Sequence, residues 1–112
     1  MTDEDKTLLE MAAIAAGLTG YRYVTPDVEH RLLTDRGITV WNPLASDGDA
    51  LRLAVKLQLG INIPPVVDGR IEVVTFYGPI ISIVEHPQND DRNAAARRAI
   101  VRAAAEIGKV QQ

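Results

Sequence analysis

Several things are missing from this sequence, and each absence excludes a class of protein. Cysteine is absent, which rules out a disulfide framework and thiol catalysis and agrees with a reducing compartment. No apolar run approaches the roughly 20 residues that span a bilayer. The N-terminus, Met1 to Asp5, is acidic where a secretory signal is basic. We therefore expect a cytoplasmic protein that does not bind membranes.

Aromatic residues are also scarce, at 4% of the chain. The core is therefore expected to be mostly aliphatic and alanine, which favours closely packed helices on a small sheet. With 112 residues, 46% apolar and 24% charged, the composition is that of one globular domain spanning residues 1–112. A net charge of −3 argues against binding nucleic acid through the overall field of the protein.

Two segments in the first half of the chain have the apolar spacing and capping residues of helices. The first starts at Thr2, whose hydroxyl forms a capping-box pattern with Asp5, and ends at Gly17. The second follows the turn at 42–44, with Ser46 or Asp47 as its N-cap. Because apolar residues cover more than half of its circumference, the second helix is predicted to be the most buried.

A third helix follows the capping segment Asn89-Asp90-Asp91. Its apolar stripe runs from Ala96 to Ile107, and its other face carries arginines. Gly108 is predicted to end this helix, because glycine is common just past a helix C-terminus. The remaining residues, 110–112, are expected to fray.

Period-two patterns predict strands on both sides of the second helix. Tyr21 to Thr25 alternates in this way, and we favour another strand at about 38–41. Within Val28 to Trp41, a hairpin and an irregular connection remain alternatives.

A three-stranded antiparallel meander is predicted after the second helix. Its strands begin at Ile61, run from Ile71 to Tyr77, and run from Ile80 to Glu85. Asp68-Gly69 is typical of a type I′ hairpin, and Gly78-Pro79 fits the second turn. Pro64-Pro65 must lie on an edge or at a bulge, because neither residue has an amide donor.

These segments predict an α+β fold in which three amphipathic helices are layered on a small antiparallel sheet, in the order α-β-β-α-β-β-β-α. Two blocks of sequence also resemble a known family. They are WNPL at 41–44 followed by DGDALRLAVKL at 47–57, and ARRAIVRAAAEIG within Ala95 to Gly108. The chain is similar here to small proteins of phages and prophages of proteobacteria, the phage ABA-sandwich group.

The resemblance implies α layers around a β layer, which agrees with the prediction from the residues. It implies no assigned activity and no catalytic residue. Proteins of this kind sit among accessory phage genes, and several small phage proteins sequester immune nucleotide signals or occlude a host protein. The setting that the resemblance implies is the cytoplasm of a bacterial host, with a role in counter-defence.

Residues that carry catalytic chemistry are few. His30 and His86 are the candidate imidazole bases, and neither stands in a pattern typical of nucleophilic catalysis, so His86 is interpreted as a surface residue. Asp47 and Asp49 lack the acidic spacing of a calcium loop, and helix capping explains them. We therefore expect neither an enzyme nor a bound metal or cofactor.

The arginines of the third helix form the clearest polar cluster. Arg98 and Arg102 lie four residues apart with Arg97 beside them, and guanidinium groups suit phosphate or carboxylate recognition. The alternative interpretation is a solvated helix face. Trp41 could stack on a base or fill the core beneath the turn at 42–44. Tyr23 is a further candidate aromatic contact in a ligand site.

Three functions remain open from the sequence. The first is a phage accessory protein that binds and sequesters a small anionic molecule, such as a nucleotide, through Arg97, Arg98, Arg102, Trp41 and Tyr23. The second is an inhibitor that binds a host protein, and the third is a regulatory or structural protein without a ligand. The first requires arginines that converge on a concave site, whereas the second requires a flat or apolar exposed patch. Exposed sheet edges in so small a domain also predict a homo-oligomer.

Overall fold

The computed structural model describes residues 2–18, 21–22, 31–34, 37–64, 69–76, 80–88 and 91–111. Within these ranges the chain is of the α+β class, as predicted. The elements are α1 (Asp3–Ala15), β1 (Tyr21–Arg22), β2 (Arg31–Thr34), β3 (Gly37–Val40), α2 (Asp47–Lys56), β4 (Leu59–Asn62), β5 (Ile71–Thr75), β6 (Ser82–Glu85) and α3 (Arg92–Gln111).

The strands form two three-stranded antiparallel sheets, in the orders β1-β2-β3 and β4-β5-β6. The second sheet is the predicted meander. The first contains one strand more than the predicted order, because β2 pairs with β3 in the register Leu32↔Thr39. Of the two alternatives for this region, the hairpin is therefore correct. A strand at 37–40 has backbone donors and acceptors to satisfy, and the preceding strand supplies their partners.

The strand ends of the second sheet differ slightly from the predicted ones. β4 begins at Leu59, two residues earlier than expected, and β6 begins at Ser82, two residues later. Pro64 follows the end of β4, as its missing amide requires. Gly69 has a φ of 70°, the positive value expected of a turn glycine. The predicted turn residues Asp68 and Gly78-Pro79, and the predicted strand end at 23–25, lie outside the described residues.

Both ends of α1 follow local sequence rules. The Thr2 hydroxyl oxygen accepts a hydrogen bond from the amide of Asp5 at 3.1 Å, which confirms the predicted cap. At the other end Gly17 has a φ of 72°, and the amide of Leu18 donates to the carbonyl of Ala13. This is a Schellman arrangement, and it confirms Gly17 as the end of the helix.

The start of α2 is built together with the turn before it. Ser46 is the N-cap, since its hydroxyl accepts from the amide of Asp49 at 3.1 Å. The Asp49 carboxylate accepts from the amide of Asn42 at 2.9 Å, and the Asn42 side chain accepts from the amide of Leu44 at 3.1 Å. Pro43, which is part of this turn, has a fully buried side chain. The WNPL and DGDA segments are therefore explained by turn and cap geometry.

The prediction that α2 is the most buried helix is wrong. Leu51 and Val55 are 60% and 68% exposed, because α2 packs against α3 and β4 on one side only. The most buried helix is α3, which contacts α1, α2, β5 and β6. Its fully or nearly fully buried residues are Ala95, Ala99, Ile100, Val101, Ala103, Ala104, Ala105 and Gly108.

Gly108 does not end the last helix, contrary to prediction, and 110–111 are helical. Gly108 is buried where α3 crosses α1. A methyl group built on it would overlap the carbonyl oxygen of Met11 and lie 2.8 Å from the carbonyl carbon. The glycine is thus required by the close approach of two backbones.

The core lies between α1, α3 and the inner face of the β4–β6 sheet. Its largest fully buried side chains include Leu9 from α1, Ile71 and Val73 from β5, and Val101 from α3. Alanines fill most of the α1–α3 contact. This confirms the predicted aliphatic and alanine core, to which α2 adds Ala50, Leu53 and Ala54.

Candidate functional site

The three candidate arginines each contact a different neighbour of α3. Arg97 Nε donates to the carbonyl oxygen of Leu44 at 2.8 Å, and its Nη1 donates to the Asp47 carboxylate at 2.6 Å. These bonds join the first half of α3 to the start of α2 and to the turn before it. Because the Arg97 side chain is 18% exposed, little of its guanidinium group remains open to a ligand.

Arg98 contacts the first turn of α1 instead. Its Nη1 donates to Asp5 at 2.9 Å and its Nη2 donates to Glu4 at 3.2 Å. The hydrogen bond that Arg98 donates to Asp5 is the main reason why the pKa of Arg98 is raised. Burial opposes this rise, and the charges of Asp5, Glu4 and Glu85 add to it. Arg98 is therefore held in its charged form by carboxylates of its own chain.

Arg102 reaches the edge of the β4–β6 sheet. Its Nη1 donates to the carbonyl oxygen of Val84 at 3.3 Å and also pairs with the Glu85 carboxylate. The three guanidinium groups thus fasten α3 to α2, α1 and β6 in turn. They do not converge on one concave site. Sequence reasoning identified the arginines but not these carboxylate partners, which lie far along the chain or were interpreted as helix caps.

Of the two aromatic candidates, one packs against the core and the other lies outside the described residues. Trp41 is partly buried and packs against the hydrophobic core, in line with the core interpretation weighed from the sequence. Tyr23 lies outside the described residues, as do His30 and Tyr77. Trp41 stands three residues before Leu44, whose carbonyl oxygen accepts a hydrogen bond from Arg97.

Among the grooves that border α3 in the described part of the chain, two lie close to candidate residues. One, of about 400 Å³, is lined by Glu85, His86, Gln88, Asp91, Ala94 and Ala95. The charged groups in its lining are the carboxylates of Glu85 and Asp91, which disfavour an anionic ligand. His86 also lines this groove and is exposed, in line with its interpretation as a surface residue. Among the described residues, no group of three His, Asp or Glu side chains could hold a metal ion.

The second groove, of about 170 Å³, lies between α2 and α3. It includes Arg97, but the partner carboxylate of Arg97, Asp47, lines the same groove. The charges of this pair largely cancel inside the groove. The remaining lining is mostly small or apolar: Ala50, Leu51, Asn93, Ala96 and Ile100.

Among the described residues, the two most exposed large apolar side chains lie at the end of the β5–β6 hairpin. Phe76 is 70% exposed and Ile80 is 98% exposed. They flank the last hydrogen-bonded positions, where the Thr75 amide donates to the Ile81 carbonyl at 3.0 Å. Phe76, which follows β5, lies on the outer face with Val74, opposite buried Val73, since both side chains approach Gly60 of β4. Ile80 lies two residues before β6, at the same end of the hairpin.

The Phe76 ring also lies over a glycine of the neighbouring strand. A methyl group built on Gly60 would come within 2.7 Å of the ring and 3.1 Å of Val74 Cγ2. Gly60 therefore leaves the space that the ring occupies. We call Gly60, Val74, Phe76 and Ile80 the hairpin patch. Sequence reasoning missed this patch. Gly60 directly precedes the predicted strand start at Ile61, and a glycine at such a position is a clue to a close contact.

The geometry defines a small α+β protein with an exposed hairpin patch and arginines that pair with carboxylates of the same chain. Searches with family models, curated proteins and solved structures found no match to the chain. The resemblance to the phage ABA-sandwich group therefore stays a prediction. In the described part of the chain, no helix combines the length and apolar character needed to cross a membrane.

Proposed function

We propose that this chain is a non-enzymatic protein-binding domain whose contact surface is the hairpin patch. The observation that carries the proposal is the exposure of both Phe76 and Ile80 at the same end of the β5–β6 hairpin. Exposed apolar patches mark interaction sites, and aromatic side chains with glycine neighbours give rigid contact area at low entropic cost. Of the functions considered from the sequence, this is the one that requires a flat apolar patch.

The arginine geometry makes sequestration of a small anion the weaker hypothesis. A phosphate at Arg97 or Arg98 would have to displace carboxylates at 2.6–2.9 Å. Displacement would leave those carboxylates near the incoming anion, which adds repulsion between like charges. Binding of nucleotides through the α3 arginines remains a prediction that needs such a rearrangement.

The partner is expected to have an apolar centre with a neutral or basic rim. The net charge of the chain is −3, and Glu72 lies on the same face as the patch, bonded to Ser82 at 2.9 Å. Acidic partners would be repelled, and basic ones attracted. In the phage setting that the resemblance implies, the partner would be a host protein and this chain its inhibitor.

The test compares two double variants that remove the same kind of exposed side chain. F76S/I80S removes the patch, and L51S/V55S removes the exposed pair on α2. Captured partners from host lysate are purified and titrated against each variant by calorimetry. We expect F76S/I80S to weaken binding at least tenfold, about 1.4 kcal/mol, and L51S/V55S to leave it unchanged. Failure to capture a partner would refute the proposal. Equal affinity of the partner for the unsubstituted protein and for both double variants would also refute it.

A parallel assay tests the competing function, in which the chain binds a small anionic molecule. Melting temperatures are measured with cyclic dinucleotides, cyclic trinucleotides and ADP-ribose. A ligand at about 100 times its dissociation constant adds roughly 2.7 kcal/mol of stability. We expect no shift from any of them, and a shift that disappears in R97M or R98M would favour anion binding instead.

A further inference from the structure

The orientation of the Phe76 ring depends on the strand next to it. Gly60 of β4 is directly opposite Val74, and Phe76 comes two residues after Val74. On one face of an antiparallel pair, an aromatic side chain can reach such a diagonal neighbour. A Cβ atom built on Gly60 would lie 2.7 Å from Phe76 Cε2 and 2.9 Å from Cζ. The edge of the ring therefore lies against the Gly60 backbone, in the space that a side chain would fill.

A larger residue at position 60 would displace the ring without disrupting the sheet. Cβ atoms essentially never lie within 3.0 Å of another heavy atom, so the ring would have to move away. It can do so by rotating about χ1, because Phe76 is 70% exposed. The Val74 Cγ2 atom, 3.1 Å from the same point, needs to shift by only a few tenths of an ångström. We therefore expect such a variant to fold and to release the ring.

We propose that Gly60 is a positioning residue of the hairpin patch, which holds the Phe76 ring in a single orientation on the sheet surface before a partner binds. This inference rests on the proposed function, since it concerns the same patch. A side chain that is already ordered loses less conformational entropy on binding, and immobilising one free side chain weakens affinity by roughly fivefold. Gly60 thus contributes to affinity through the ring of Phe76.

The test variant is G60A, and G48A is its matched control. Both substitutions add one methyl group to a partly buried glycine. At Gly48 the nearest atoms belong to the guanidinium group of Arg52 in α2, outside the hairpin patch. The partner captured from host lysate is titrated against both variants by calorimetry. We expect G60A to weaken binding by about fivefold and G48A to leave the affinity unchanged.

The same substitution in the F76S variant separates positioning from direct obstruction of the partner. If Gly60 acts through the ring, G60A should have no further effect on affinity once the ring is absent. An equal loss of affinity with and without the ring would overturn the proposal, because the new methyl group would then obstruct the partner itself.

Nuclear magnetic resonance of the free protein examines the ring without a partner. In the unsubstituted protein, the ring should shift the α-proton resonances of Gly60 relative to those in F76S. The χ1 couplings of Phe76 should be those of one rotamer, and in G60A they should become averaged. Averaged couplings in the unsubstituted protein, or a single rotamer retained in G60A, would overturn the proposal.

The two sets of measurements distinguish failure of this inference from failure of the proposed function. If Phe76 has one rotamer that is lost in G60A and no partner is captured, the proposed function is wrong and the positioning of the ring by Gly60 is supported. If F76S/I80S weakens binding and G60A does not, the proposed function is supported and this inference is wrong.

Discussion

Replacement of Gly108 by alanine tests the packing of the two longest helices. In an open helix position, Gly to Ala stabilises a protein by roughly 0.5–1 kcal/mol. Here the added methyl group would overlap the Met11 carbonyl oxygen, which belongs to the backbone of α1 and cannot rotate away. The helices must therefore separate along a contact made largely of buried alanines.

The sum of these effects is a net loss of stability. Overpacking of a core costs about 1–3 kcal/mol and more where backbone must move. After the gain in helix propensity, we expect G108A to lower the free energy of unfolding by about 2 kcal/mol. For a domain of this size, that corresponds to a fall of about 8 °C in melting temperature. Urea and thermal denaturation followed by circular dichroism measure both.

Two control variants make the result specific. G48A is the same substitution in α2, where the nearest neighbours are guanidinium atoms of Arg52 at 3.3 Å that can move aside. It should be neutral or stabilise by up to about 1 kcal/mol. M11A combined with G108A should not restore stability, because the overlap is with a carbonyl group. If G108A is as stable as the wild type, the helix crossing described here is wrong.

Two further predictions concern polar contacts, both measured by urea denaturation. S46A removes the acceptor of the Asp49 amide and should cost about 1 kcal/mol, whereas S46G should cost only a few tenths, and equal losses would contradict the capping role. R97M leaves the Leu44 carbonyl without its Nε donor and should cost about 1–3 kcal/mol. D47N should cost less than about 1 kcal/mol, because the Asp47 side chain is 66% exposed. A larger loss of stability in D47N than in R97M would refute the conclusion that the Leu44 contact is the more important one.

Tertiary structure decided the features on which the proposed function depends. Arg97 and Arg98 are recognisable in the sequence as candidate anion ligands, but Asp47 and Asp5, which pair with them, lie 50 and 93 residues away. The exposure of Phe76 and Ile80 likewise follows from which sheet face α3 covers. A local pattern has no information about such distant contacts, since the same arginine can be solvated, paired or ligand-bound.

The sequence by itself determined the local structure. Thr2, Ser46 and Gly17 mark helix ends because a capping group and its backbone partner are only three to five residues apart. Gly108 shows where this reasoning stops: a glycine near a helix end is consistent with a terminus or with a close helix crossing. The choice depended on the backbone of Met11, 97 positions earlier, and only the packed fold brings the two together.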